Sequence, residues 1–135
     1  MPSLGAKVPH YLGGTERRTD VLHYPHKALF VFGSHFHIAN FRSTEEMSAY
    51  TTQVMDIRSA MASLNQDRVD GRIEDGVYGQ RLKDEWIPLV DGFITRWGEE
   101  FVPGDIRFSV NNIEENLGIQ PRMWPELVPC TTLPA

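Results

Sequence analysis

The chain has 135 residues, of which 41% are hydrophobic and 23% charged, and its formal net charge is −5. These values fit a single globular domain that buries its own core, and they exclude a fibrous or wholly disordered chain. The longest apolar run, residues 28–32, is far shorter than the about 20 residues of a membrane-spanning helix, and the N-terminus lacks the apolar segment of a signal peptide. We therefore expect a soluble protein without a membrane partner.

Cysteine content and charge distribution narrow the chemistry further. Cys130 is the only cysteine in the sequence, which excludes an internal disulfide and a thiolate-rich zinc site. Residues 1–42 have a net charge of +3 and residues 43–102 a net charge of −6. A nucleic-acid-binding protein would show a concentrated Lys/Arg surface, so no nucleic-acid partner is expected. A basic arm on an acidic body is instead compatible with head-to-tail contact between copies.

Residues 1–20 contain prolines and glycines without an apolar period, so we predict an extended N-terminal arm. Two segments rich in aromatic and β-branched residues follow, on either side of Gly33-Ser34. This pair suits a two-residue type II′ turn, because glycine adopts the positive φ of the first turn position. The sequence therefore predicts a β-hairpin over residues 28–40.

The alternation of side chains along a strand divides this hairpin into two faces. With the predicted turn, Val31 lies opposite Phe36 and Phe30 lies opposite His37. One face is wholly apolar, and we predict that it covers the core. Its members are Leu29, Val31, Phe36 and Ile38. The other face is expected to be an amphipathic aromatic surface that carries Phe30, Phe32, His35 and His37.

The next segment has the clearest helical pattern of the chain. Ser43 and Glu46 have the spacing of a capping box, in which the two side chains accept hydrogen bonds from free N–H groups at the helix start. Apolar residues then recur at spacings of three and four, which predicts an amphipathic helix over residues 44–65. They are Met47, Tyr50, Val54, Ile57, Met61 and Leu64.

A second long helix is predicted over residues 79–101. It either begins near Pro88 or is kinked there, because proline cannot donate the backbone hydrogen bond of a helix interior. The sequence before it has turn signals at Asp70-Gly71 and Asp75-Gly76. If residues 68–79 formed two strands, the element order would be βαββαβ, a ferredoxin-like variant.

The last part of the chain is predicted to contain a strand at 105–110, a short helix that ends at Gly118, and an extended proline-rich tail over residues 119–135. The predicted fold class is α+β: a small antiparallel sheet, formed by the hairpin and the strand at 105–110, is covered by the two long helices. We expect one domain over residues 21–118, with the N-terminal arm and the C-terminal tail outside it.

Two histidines, His35 and His37, project from the same side of the predicted strand, an arrangement with which many metal sites begin. His23 and His26 flank the same hairpin, so a zinc or iron site with histidine ligands is one interpretation. No second histidine group and no carboxylate at a diagnostic spacing follows in the sequence. The favoured interpretation is that the imidazoles pair with phenylalanine rings across the hairpin and that no cofactor is bound.

Trp124 lies next to Met123 in a segment without helical or strand periodicity. Such bulky side chains pack either against their own domain or against another subunit. Docking on another subunit is the favoured alternative, because Trp, Met and Arg are enriched at interfaces. The predicted partner contacts are Met123, Trp124 and Leu127 in the tail and Tyr11, Arg17 and Arg18 in the arm.

The sequence favours a structural subunit of a larger complex, bound to identical or different subunits through its extended arms. Phage tail, neck and capsid-associated proteins use such arms, so by analogy of architecture we expect a virion-type component. One alternative is a small metal-dependent enzyme or metal-binding module built on the His-x-His pair. A further alternative is a small-ligand-binding α+β protein. Its pocket would be lined by Phe30, Phe32, Trp86 and Trp97.

Overall fold

The structure is a computed structural model, which describes residues 26–32, 35–127 and 130–132. The strands are β1 (His26–Phe32), β2 (His35–Phe41) and β3 (Cys130–Thr132). The α-helices are α1 (Thr44–Val69), α2 (Asp75–Arg81), α3 (Ile87–Trp97) and α4 (Gly104–Asn116). A π-helical turn (Leu82–Trp86) connects α2 to α3, and a 3-10 turn (Glu99–Phe101) follows α3. The α+β fold class is confirmed, with the helices packed on one face of a three-stranded sheet.

The helix α1 forms where its capping residues and apolar period predict it. Ser43 is its N-cap residue, and the Ser43 hydroxyl accepts a hydrogen bond from the Glu46 N–H at 3.1 Å. The Glu46 carboxylate accepts from the Arg42 N–H at 3.0 Å and also pairs with the Arg42 guanidinium. The predicted helix at 44–65 is confirmed, and the structure extends it to Val69. The chain then turns at Gly71, whose φ of 78° suits a glycine.

The predicted second helix is confirmed with shifted ends, since α2, the π turn and α3 form one helical stretch from Asp75 to Trp97. Because Pro88 has no N–H, the carbonyl four residues before it receives no α-helical hydrogen bond, and the π turn lies at this position. Asp75 and Gly76 begin α2 rather than forming a β-turn. Residues 68–79, all of which the structure describes, therefore contain no strand, and the βαββαβ order is not formed.

The predicted strand at 105–110 is wrong, because these residues belong to α4. Ile106, Phe108 and Val110 fit the period of a strand, whereas Ile106, Val110 and Ile113 fit the period of a helix. The helical set is the buried one, and Phe108 is 63% exposed. The helix prevails because its period continues through Ile113 and gives α4 a single apolar face.

The third strand comes from the predicted tail. β3 pairs parallel to β2, with Ile38 opposite Cys130. The sheet order is β1-β2-β3. β1 and β2 pair antiparallel in the predicted register, with Val31 opposite Phe36. The paired strands of the hairpin are therefore confirmed, and the predicted type II′ turn at Gly33-Ser34 lies outside the described residues. The third strand has a different origin and direction from those predicted.

The prediction that the face with Val31 and Phe36 covers the core is wrong, although Ile38 of that face is buried, at 4% exposed. Ala39 and Phe41 are 0% and 3% exposed, and Phe30 packs against the same core, whereas Val31 is 69% exposed. Both hairpin faces are apolar near the turn, so local alternation does not distinguish them. The choice is made further along β2, where the Phe41 ring packs 6.0 Å from the Trp97 ring of α3, centroid to centroid.

The core is centred on Tyr50 of α1, which is fully buried. Its ring centroid lies 5.4 Å from that of Trp97, and its hydroxyl donates a hydrogen bond to the Phe101 carbonyl. Trp86 is also buried, and its indole N–H donates to the Ile57 carbonyl at 2.8 Å. Both polar groups are thus satisfied inside the core. None of the helices in the described ranges has the length and apolar content needed to cross a bilayer.

Candidate functional site

The C-terminal segment, residues 119–127, returns along α4 after a reversal at Gly118. Gly118 has a φ of 73°, and the N–H that follows it donates to the Glu114 carbonyl at 2.8 Å, which closes the end of the helix. The segment has neither helical nor strand structure. Leu127, at the far end of the segment, lies next to Gly104 at the start of α4, since a Cβ atom added to Gly104 would be 3.4 Å from Leu127 Cδ2. The C-terminal segment therefore runs antiparallel to α4 and covers one of its faces.

Two residues on the covered face of α4 bind the first half of this segment. The Glu114 carboxylate accepts from the Arg122 N–H at 3.0 Å and from Arg122 Nε at 3.1 Å. Arg122 Nη1 also donates to Asp91 Oδ1 at 2.9 Å, which connects the segment to α3. Asn111 Oδ1 accepts from the Trp124 indole N–H at 3.0 Å. Because Glu114 is only 7% exposed, its charge-assisted bonds are stronger than those of a solvated surface pair.

Arg107, one helical turn before Asn111 on the same face of α4, binds the second half of the segment. Its Nη1 donates to the Pro125 carbonyl at 2.5 Å, its Nε to the Val102 carbonyl at 2.9 Å and its Nη2 to the Glu99 carbonyl at 2.9 Å. Burial lowers the pKa of Arg107, and the nearby carboxylate of Glu99 acts in the opposite direction. The guanidinium remains charged at neutral pH and joins the C-terminal segment to the 3-10 turn.

Trp124 lies between two guanidinium groups, 5.4 Å from that of Arg107 and 5.6 Å from that of Arg122, measured to the ring centroid. The structure therefore places Trp124, and with it Leu127, against their own domain, which is the alternative to docking on another subunit. Met123 is 91% exposed and remains available to a partner. The predicted contacts in the arm lie outside the described residues; they are Tyr11, Arg17 and Arg18.

Four large apolar side chains are exposed around the turn end of the hairpin, and we call them the hairpin-end patch; Val31 and Phe36 lie on one face of the sheet, and Phe32 lies on the other, next to Phe108. Val31 is 69%, Phe32 40%, Phe36 39% and Phe108 63% exposed. The ring centroids of Phe32 and Phe108 are 6.2 Å apart, and Val31 and Phe36 are cross-strand partners. Single exposed apolar residues are common, whereas an accumulation of them at one end of a molecule is typical of interaction surfaces. Leu127 lines the same cleft as the hairpin members of the patch.

His37 is a buried structural residue. It is 2% exposed, and its Nε2 lies 3.0 Å from the Thr131 hydroxyl of β3. Within the described residues its Nδ1 has no hydrogen-bond partner. Burial, assisted by the positive charge of Arg107, lowers the pKa of His37 to about 4. The imidazole is therefore neutral at neutral pH and attaches β3 to the hairpin.

The predicted histidine site is only partly brought together. His26 lies opposite Phe41 and His37 lies opposite Phe30, so the two are four residues apart along the sheet, about 13 Å at the usual rise per residue. His26 Nδ1 instead lies 3.1 Å from the Thr44 hydroxyl. The backbone of His35 is two residues from His37, but the His35 side chain and all of His23 fall outside the described part. In that part no cluster of three histidine, cysteine or acidic side chains could hold a metal ion.

Within the described residues, the four side chains predicted to line one ligand pocket lie in three different surroundings. Phe30 and Phe32 line the cleft at the hairpin end. Trp86 borders a separate, shallow groove between α1 and α4, whose rim carries the ion pair of Arg58 with Asp105 at 2.9 Å. Trp97 is 8% exposed and belongs to the core.

The residues that hold the C-terminal segment were missed by the sequence prediction. Arg107, Asn111 and Glu114 are spaced by four and three, so they share a face once residues 104–116 are known to be helical. The available signal was a polar stripe beside the apolar stripe of the same helix. A strand over residues 105–110, as the sequence predicts, hides this stripe because it places Arg107 and Asn111 in different elements.

No protein-family model matches this chain, and no significant match was found among the curated proteins or among the solved structures.

Proposed function

We propose that this protein is a structural subunit that assembles with other protein chains through the hairpin-end patch. The observation that carries the proposal is the grouping of Val31, Phe32, Phe36 and Phe108 at one end of the molecule, each 39% to 69% exposed. Covering a large apolar side chain contributes about 1.5–3 kcal/mol when its burial is complete. Four such side chains at one end of the hairpin supply the anchors of a protein interface.

The patch is built on a frame that needs little adjustment on binding. The hairpin has a continuous antiparallel register. Phe108 projects from α4, and the start of this helix packs against the hairpin, since a Cβ atom added to Gly104 would lie 3.2 Å from Phe32 Cδ2. A preformed surface loses less conformational entropy on association than a mobile one. Its partner would be a protein surface that offers apolar side chains of its own. We further propose that the assembly is of the virion type, by analogy of architecture.

The proposal is tested by changing the patch without changing the fold. In the variant Val31→Thr/Phe108→Gln, polar residues of suitable strand and helix propensity replace two exposed members. A matched control is Met55→Gln/Val69→Thr, since these side chains of α1 are 51% and 64% exposed but lie outside the patch.

Each tagged chain would be expressed at its natural level in its source cell and sized by sedimentation. We expect the wild type and the control in a complex much heavier than the 15.4 kDa chain, and the patch variant at the mass of the free chain. The proposal fails if the wild type sediments as the free chain, or if the patch variant enters the complex as well as the control does.

A further inference from the structure

The C-terminal segment is bound to its domain in the way a peptide ligand is bound to a receptor. Most of its hydrogen bonds are with side chains of one helix face: Arg107 donates to the Pro125 carbonyl, Asn111 accepts from Trp124 and Glu114 accepts from Arg122. A further bond joins Arg122 to Asp91 of α3. Beyond it, β3 adds a short parallel strand to β2. These contacts specify the sequence of the segment, but they do not require that it belong to the same chain.

The connection between α4 and the C-terminal segment depends on a single residue conformation. Gly118 has a φ of 73°, a value that glycine adopts freely and other residues avoid. No atom lies within 4 Å of the position that a Cβ at Gly118 would occupy. A change of Gly118 to a negative φ would redirect the whole segment while α4 and its polar face remain as they are.

The α4 face also needs an occupant. Arg107 and Glu114 are each 7% exposed, and loss of the segment would leave their charged groups partly buried without these partners. A buried charge without its partner is strongly unfavourable. A segment that leaves its own domain therefore creates a vacant site of the same specificity, and a second copy in the same state offers the matching ligand.

We infer that the C-terminal segment and β3 are exchanged between two copies of this chain, each segment occupying the α4 face of the other copy. The contacts are the same within one chain and between two chains, so the balance depends on concentration and on the conformation of Gly118. This interface adjoins the hairpin-end patch at Leu127 and goes beyond the proposed assembly function.

The first test is the variant Gly118→Ala. A side chain disfavours the left-handed conformation by roughly 5- to 30-fold. In an exchanged dimer residue 118 of both chains leaves this conformation, so the strain is relieved twice. The dimerisation constant should therefore rise by the square of that factor, at least about 25-fold. The control is Gly92→Ala in α3, where an added Cβ also meets no atom within 4 Å and the φ is not positive. Sedimentation equilibrium measures the constants. An unchanged constant for Gly118→Ala would overturn the inference.

The second test identifies the exchanged contact. Glu114→Arg places two positive charges, at positions 114 and 122, opposite each other within one chain. Arg122→Glu places two negative charges at the same two positions in a second chain. When the two variants are mixed, exchange brings Arg at position 114 against Glu at position 122, and Glu114 against Arg122. We expect a heterodimer in native mass spectrometry that neither variant forms alone. Its absence would overturn the inference even if Gly118→Ala dimerises, because that dimer would then use another surface.

Both tests are made in the Val31→Thr/Phe108→Gln background, so that association through the hairpin-end patch is not counted. Failure of the exchange then leaves the assembly function intact, and failure of the assembly function leaves the exchange measurable. If either charge variant lacks the helical circular dichroism of the parent chain, Gly118→Ala and Gly92→Ala decide the question alone.

Discussion

Replacing Arg107 with methionine should lower the free energy of unfolding by about 3 kcal/mol. Methionine keeps the length and the apolar stem of the side chain but removes the guanidinium that donates to three carbonyls, those of Val102, Glu99 and Pro125. A hydrogen bond to a charged group contributes about 1.5–3 kcal/mol net, and a carbonyl near solvent recovers part of this from water. The bond to Val102 is buried and the other two are partly buried. Because methionine carries no charge, the variant no longer has the cost of burying the guanidinium, which reduces the expected loss of unfolding free energy.

The measurement is urea-induced unfolding followed by far-ultraviolet circular dichroism, with a matched change at a surface arginine. Arg81→Met removes a cation that pairs with Glu85 on the exposed side of α2 and the π turn, and we expect a much smaller loss than for Arg107→Met, because solvent screens this pair. Arg107→Lys retains the charge but not the planar fork, so its stability should lie between those of the wild type and Arg107→Met. Trypsin should cut after Arg122 faster in Arg107→Met than in the wild type, because the segment is less firmly held.

A loss below about 1 kcal/mol for Arg107→Met, or a loss equal to that of Arg81→Met, would refute this reasoning. The segment would then be held mainly by Glu114 and Asn111. Equal trypsin cleavage rates in the wild type and Arg107→Met, with an unfolding free energy that does fall, would mean that Arg107 supports the 3-10 turn rather than the C-terminal segment.

Other predictions follow from the same contacts. Gly104→Ala should lower the unfolding free energy by about 1 kcal/mol, since the new Cβ would lie 3.2 Å from Phe32 Cδ2, whereas Gly76→Ala in open space should raise it by about 0.5 kcal/mol. Trp86→Phe removes the indole N–H bond and should cost about 2 kcal/mol in the same urea assay. In the folded chain the pKa of His37 is about 4, below its ordinary value of 6.5. The unfolded chain therefore binds more protons than the folded chain between pH 4 and 6.5, so the free energy of unfolding should fall by up to about 3 kcal/mol as the pH is lowered through this range. His37→Gln should show a shallower loss over the same range. Elemental analysis of the purified chain should find no stoichiometric zinc or iron, and a stoichiometric metal would revive the histidine site.

The parts of the fold that were predicted correctly are those whose determinants are local in sequence. The capping residue Ser43 and the apolar period that follows it define the start and the buried face of α1. The register of the hairpin follows from the length of its turn, because Gly33-Ser34 leaves one way to pair β1 with β2. In both cases the residues that determine the structure lie within a few positions of each other.

The parts that were predicted wrongly depend on contacts between distant residues. The core face of the hairpin is decided by where α1 and α3 pack, which no alternation inside residues 28–40 reveals. β3 needs a partner strand far away in sequence, as the hydrogen bond from Asn40 to Thr132, separated by 92 positions, shows. The apolar residues of 105–110 fit the period of a strand and also that of a helix. Which of the two forms depends on whether the rest of the fold buries Phe108, as a strand would, or Ile113, as the helix does.

The two surfaces proposed for assembly meet at Leu127. Leu127 lines the cleft that also contains Phe32 and Phe36, and it is in contact range of Gly104 at the start of α4. When the C-terminal segments exchange, the Leu127 of one copy completes the cleft beside the patch of the other copy. Each patch then keeps its composition and becomes part of a two-chain unit. The polar face of α4 thus determines which segment is bound, while Gly118 determines from which chain it comes.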